Sequence, residues 1–66
     1  MDLLVNSEPI HFEGNSLAEL LLAQGAAQQR GIAVALNETV VPKEDWSETH
    51  LGEGDRILII QPTQGG

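Results

Sequence analysis

The chain closes on "IIQPTQGG", and the group there with a reaction open to it is the carboxylate of Gly66. A terminal carboxyl with a reference pKa near about 3.5 is ionised at neutral pH, so it is a poor acyl electrophile but a competent nucleophile toward phosphorus. Attack on the α-phosphate of ATP, held by a partner enzyme, would give an acyl-adenylate. A thiol, persulfide or amine could then displace AMP at the carbonyl. Gly65 and Gly66 lack a Cβ, which suits a narrow channel. Residues 61–64, Gln-Pro-Thr-Gln, cannot pack a core. Residues 62–66 therefore read as a flexible tail that reaches about 17 Å when extended, at about 3.3 Å per residue. Ordering it inside a partner costs on the order of 5–10 kcal/mol, which contacts there must offset.

Little else in the chain has the makings of a reaction centre. The absence of cysteine excludes disulfides, thiolate metal sites, iron-sulfur clusters and thiol nucleophiles together. His11 and His50 are far apart, with neither helical spacing nor a paired carboxylate, and read as surface histidines. Trp46 reads as a core plug beneath a loop. Glu44, Asp45 and Glu48 read as a solvated loop, with Glu44 and Glu48 a like-charged i, i+4 pair if that loop is helical. No metal site, bound cofactor or catalytic constellation is expected. The chain reads as a reagent carried between enzymes, itself not an enzyme.

The elements that would hold such a tail follow from pattern. Leu3 and Val5, then Ile10 and Phe12, alternate around the turn Asn6-Ser7-Glu8-Pro9, predicting a first hairpin. Ser16-Leu17-Ala18-Glu19 is a capping box and starts a helix. Leu17, Leu20 and Leu21 make its buried stripe, Gly25 weakens its second half, and Arg30 with Gly31 suit its carboxyl-terminal end. Residues 32–36 and 39–41 form a second hairpin across Asn37-Glu38, ended by Pro42. Gly52-Glu53-Gly54-Asp55 is a turn before a last strand over residues 56–61.

Two hairpins flanking one helix, with a last strand long enough to lie centrally, give an α+β arrangement. It is a mixed sheet wrapped over one main helix, the β-grasp fold, over residues 1–61. Parity turns Leu3, Val5, Ile10, Phe12, Ile32, Val34, Leu36, Ile57 and Ile59 toward the helix. Leu4, His11, Ala33, Ala35, Leu58 and Ile60 then face outward. Of these, Leu58 and Ile60 beside Ala33 and Ala35 would form an apolar docking patch next to the tail.

At 66 residues the chain is one small domain, too small to enclose a deep pocket. Three basic against ten acidic residues give a formal charge of −7, which repels phosphate backbones and anionic headgroups and favours a basic protein surface. Nucleic acid and membranes are excluded as partners on that ground. The apolar runs are far below the roughly 20 residues a membrane span needs, and the start Met-Asp-Leu-Leu lacks the basic region of a secretory signal. A cytoplasmic monomer is expected.

The segment "VALNETVVPKEDWSETHLGEGDRILIIQPTQGG", with the opening "LLVNSEPIHFEGNSLAELL", resembles the ThiS family over essentially the whole chain. The family comprises the sulfur carrier proteins of thiamine biosynthesis. The combination is specific: "ALN", "VVP" followed by a basic residue, Trp46, "GD" before the last strand and a final Gly-Gly. The resemblance implies a ubiquitin-like β-grasp whose Gly66 is adenylated by an E1-like adenylyltransferase using ATP and Mg. It further implies that a persulfide donor then provides sulfur for a terminal thiocarboxylate, which supplies the thiazole sulfur on thiazole synthase. Gln64 departs from the small residue the family commonly carries there. Three alternatives stay open: the small subunit of molybdopterin synthase, a modifier joined to lysines through Gly66, and a noncovalent adaptor.

Overall fold

In a computed structural model of the chain, residues 1–27 and 30–61 are described. Five strands form one mixed sheet: β1 (Asp2–Val5), β2 (Glu8–His11), β3 (Ala33–Leu36), β4 (Thr39–Val40) and β5 (Arg56–Ile60), in the order β2-β1-β5-β3-β4. The last strand is central. It runs parallel to β1, with Val5 beside Ile57, and antiparallel to β3, with Val34 beside Ile59. Helix α1 (Leu17–Ala23) lies against one face.

Both hairpins turn on two residues. Asn6-Ser7 and Asn37-Glu38 all have positive φ, between 48° and 74°, the backbone of type I′ turns that match the twist of the strands they join. Glu8 and Pro9, expected in the first turn, belong to β2 instead. β2 is an edge strand, and Pro9 is tolerated there because one side of the backbone has no partner strand.

The capping box at Ser16 is present: the Ser16 hydroxyl accepts from the Glu19 amide, and Glu19 Oε1 accepts from the amides of Asn15 and Ser16. Those two amide bonds, led by the one from Asn15, hold the Glu19 carboxyl below its usual range. The helix is shorter than its pattern suggests. It ends at Ala23, with Gly25 at φ 75°, the Gly25 amide donating to Leu22 O and the Ala26 amide to Leu21 O. Those two bonds make a Schellman cap, so Gly25 terminates the helix rather than weakening its interior, and the end expected at Arg30 and Gly31 is corrected to this point.

Leu17, Leu20 and Leu21 are wholly buried against Leu3, Val5, Val34, Ile57 and Ile59, each such side chain contributing about 1.5–3 kcal/mol by its removal from water. Ile10, Phe12, Ile32 and Leu36 are half-buried around that core, and Ala26 closes it below the cap. The polar stretch before β5 forms a 3₁₀ helix, Lys43–Glu48, which buries Trp46. Leu17 N–H donates to Thr49 O and Leu51 N–H to Asn15 O, tying this stretch to the start of α1.

Candidate functional site

β5 carries two kinds of residue in strict alternation. Ile57 and Ile59 face the helix and are buried, while Leu58 and Ile60 face outward and are 48% and 53% exposed. Across the antiparallel ladder Leu58 pairs with Ala35, and Ile60 with Ala33. Alanine covers little of its neighbour, so the two larger side chains stand above the sheet. The four residues singled out from parity thus lie together on one face. Val40 extends this face, paired with Ala35 and 68% exposed, and Leu4 is at its other side. Val40 was missed by sequence reasoning. Reading Asn37-Glu38 as a two-residue turn fixes the pairs Leu36–Thr39 and Ala35–Val40, which is the signal that would have found it.

Arg56 begins the same strand, with its Nη2 3.7 Å from Glu38 Oε2, both side chains mostly exposed. Such a pair is worth little in water. Its effect is to place a cation at the rim of the apolar face.

The geometry of β5 is held by two asparagines. Asn37 N–H donates to Arg56 O at 2.8 Å, and its Oδ1 accepts from Arg56 N–H at 2.9 Å. At the other end Asn6 N–H donates to Ile57 O at 2.9 Å, and Asn6 Oδ1 accepts from Ile59 N–H at 2.8 Å. Sequence reasoning took both as turn residues only.

His11 requires a correction. Expected to lack a carboxylate partner, it has two: Asp2 Oδ1 lies 3.0 Å from Nδ1 and Glu13 Oε2 lies 2.7 Å from Nε2. Hydrogen bonding to Asp2 first, then to Glu13, raises the His11 pKa, and bonding to His11 lowers those of Asp2 and Glu13. The carboxylates lie on opposite sides of the ring, an arrangement that orients the imidazole but does not chelate. Among the described residues no group of three or more His, Cys, Asp or Glu side chains is placed to hold a metal ion. The Asp2 amide donates to both Glu53 oxygens at 3.1 Å, so Asp2, Glu13 and Glu53 gather at the end of the sheet where β5 begins.

Gln64, Gly65 and Gly66 lie outside the described residues. The strand that leads to them ends at Ile60, on the apolar face and away from the carboxylate group. Among the described residues no helix is long and apolar enough to cross a membrane.

Comparison with known proteins adds four likenesses. The model of the family described as the ThiS family matches residues 3–66. The chain is 33% identical to the sulfur carrier protein ThiS of Escherichia coli K12 over 66 residues, the whole of both chains. It is also 30% identical, over its whole length, to a segment making up 20% of a thiazole synthase from Paramagnetospirillum magneticum. In three dimensions it matches the crystal structure of a thiamine biosynthesis protein (ThiS) from Geobacter metallireducens with a TM-score of 0.83, at 32% identity and full coverage of both chains.

Proposed function

The chain belongs to the ThiS family, and from that premise we propose that it is a sulfur carrier for thiamine biosynthesis whose reacting atom is the carboxylate carbon of Gly66. The observation that carries this reading is the family match, which extends through residue 66 and so takes in Gly65 and Gly66. In the proposed sequence a Gly66 carboxylate oxygen attacks the α-phosphorus of ATP and pyrophosphate leaves. The terminal sulfur of a persulfide then attacks the carbonyl and AMP leaves. Cutting the S–S bond with a second thiol leaves the thiocarboxylate on Gly66 and a disulfide on the donor. ATP, its Mg ion and the catalytic groups belong to the E1-like adenylyltransferase, so the carrier acts as its co-substrate.

Thiazole synthase is the proposed acceptor. A thiazole synthase that contains a segment like this chain supports the pairing, because covalent linkage keeps a donor beside its acceptor at high effective concentration. The face of Leu58, Ile60, Ala33 and Ala35 is the proposed docking surface for both enzymes. It adjoins the end of β5, so a partner seated on it is beside the point where residue 61 follows.

The test is deletion of Gly66. ATP-pyrophosphate exchange with the activating enzyme, and mass detection of one terminal oxygen replaced by sulfur, should both stop. Circular dichroism and the unfolding midpoint should match those of the full chain, because the core ends at Ile59. Exchange and sulfur loading at the full rate without Gly66 would remove the carboxyl terminus from the reaction.

A further inference from the structure

We propose that Asn6 is a positioning residue for the carrier reaction: its side-chain carbonyl fixes the end of β5 and so the point from which the reacting terminus is presented. The inference rests on the reading of Gly66 as the reactive group.

The argument starts from the parallel ladder between β1 and β5. Leu4 N–H donates to Asp55 O and Asn6 N–H to Ile57 O, at 3.0 and 2.9 Å. In an evenly spaced parallel ladder, the next bond runs from Ile59 N–H to a carbonyl at residue 6. The main chain at Asn6 has already entered the turn, with φ 51°. The side-chain Oδ1 takes that place, 2.8 Å from the Ile59 nitrogen and partly buried. β1 therefore ends at Val5, yet β5 is held on that side two residues beyond Ile57. Among the described residues this is the last bond from the β1 side to β5. On the other side β3 pairs as far as Ala33 with Ile60.

The consequence is a defined origin for the residues that follow. With both edges of β5 held as far as Ile59, a partner has to order only what comes after the strand. Without the Asn6 bond the strand end is held from the β3 side alone, and Ile59 adds its own freedom to what must be fixed on docking. Loss of anchoring is thus read in the affinity for the activating enzyme rather than in the chemical step.

Two variants separate this role from turn formation. Asn6→Gly keeps the positive φ and removes the acceptor, whereas Asn6→Asp tolerates the same backbone and keeps a carboxylate oxygen to accept. Amide hydrogen exchange is measured at Ile59, with Leu3 and Val34 as core references. Carrier KM and kcat are measured in ATP-pyrophosphate exchange with the activating enzyme.

In Asn6→Gly, exchange at Ile59 should rise about 2- to 12-fold beyond any change at Leu3 and Val34, the factor expected from one lost hydrogen bond. KM should rise about 5- to 30-fold, equivalent to ordering one more residue, with kcat little changed. Asn6→Asp should restore both. An equal rise at all three amides would make Asn6 a purely structural residue, and an unchanged KM beside a loosened Ile59 would sever anchoring from function. If the unmodified chain is not adenylated, the reading of Gly66 falls and the positioning role with it. Exchange at Ile59 still reports whether Asn6 anchors the strand.

Discussion

The Trp46 indole Nε1 donates to the main-chain carbonyl of Val41 at 2.9 Å, a partly buried bond that fastens the 3₁₀ helix to the chain leaving β4. The ring itself is buried beside the helix. Trp46→Phe retains most of the packing but strands the Val41 oxygen, so a loss of about 1–2 kcal/mol is expected in urea unfolding. Trp46→Ala should cost about 3–5 kcal/mol through the cavity it leaves. A phenylalanine variant as stable as the parent would show that the bond contributes nothing.

Gly25 gives a prediction of sign. A glycine inside a helix is improved by alanine, but Gly25 has φ 75° and open space around its Cα. Only backbone strain can act there. Gly25→Ala is therefore expected to destabilise by about 1 kcal/mol in a urea titration. A stabilised variant would return this residue to the interior of a longer helix.

His11 makes stability depend on pH. Its pKa is raised in the folded state by Asp2 and then Glu13, so its contribution is complete below the unfolded histidine value of about 6.5 and is lost as pH rises through the folded value. The lowered pKa values of Asp2 and Glu13 work the other way, their contribution present above about pH 4 and lost as pH falls. His11→Gln should remove the decline in stability expected of the parent chain as pH rises above the unfolded histidine value of about 6.5. An identical decline in both proteins would assign it to other groups.

How far the fold was readable follows from such residues. Period-two alternation placed Leu3, Val5, Val34, Ile57 and Ile59 on the core face because burial on one face of a sheet forces it. The capping box at Ser16 was equally legible, being a purely local pattern. Gly25 was misplaced because periodicity does not report backbone angle. The 3₁₀ helix was missed because Lys43–Glu48 has a single buried apolar residue, too few to set a period. The bonds of Asn6 to Ile59 and of His11 to Asp2 depend on register across strands, which no local pattern carries. Val40 is a different case, since the two-residue turn at Asn37-Glu38 is a local signal that fixes its pairing with Ala35 and so its place on the outer face.

That outer face should respond to substitution without loss of fold. Leu58→Thr and Ile60→Thr place a β-branched strand former at positions about half exposed, so each should change stability by less than about 1 kcal/mol. Binding to the activating enzyme and to thiazole synthase should weaken together. The two enzymes should also compete for the unmodified carrier, and a ternary complex on one carrier would contradict a shared surface.

Salt offers a kinetic test. With a formal charge of −7, association with a basic partner surface should slow as ionic strength rises, while dissociation changes much less. Stopped-flow measurement between low salt and physiological salt decides it. Association rates that do not vary with salt would leave the charge a solubility feature.

The pairing of β5 with β1 also bears on when a newly made chain becomes a carrier. Asn6 and Ile59, which share a hydrogen bond, are 53 residues apart in sequence. Closing a loop of that length costs about 3.5 kcal/mol by its length dependence alone, and contacts made earlier in the chain do not repay it. A nascent chain stalled before residue 56 lacks Ile57 and Ile59, so its first hairpin and helix have no central strand to close upon. Such a fragment cannot complete the apolar face that β5 carries. Closure of the domain therefore waits on β5, the strand that supplies Ile57 and Ile59 to the core and Leu58 and Ile60 to the outer face.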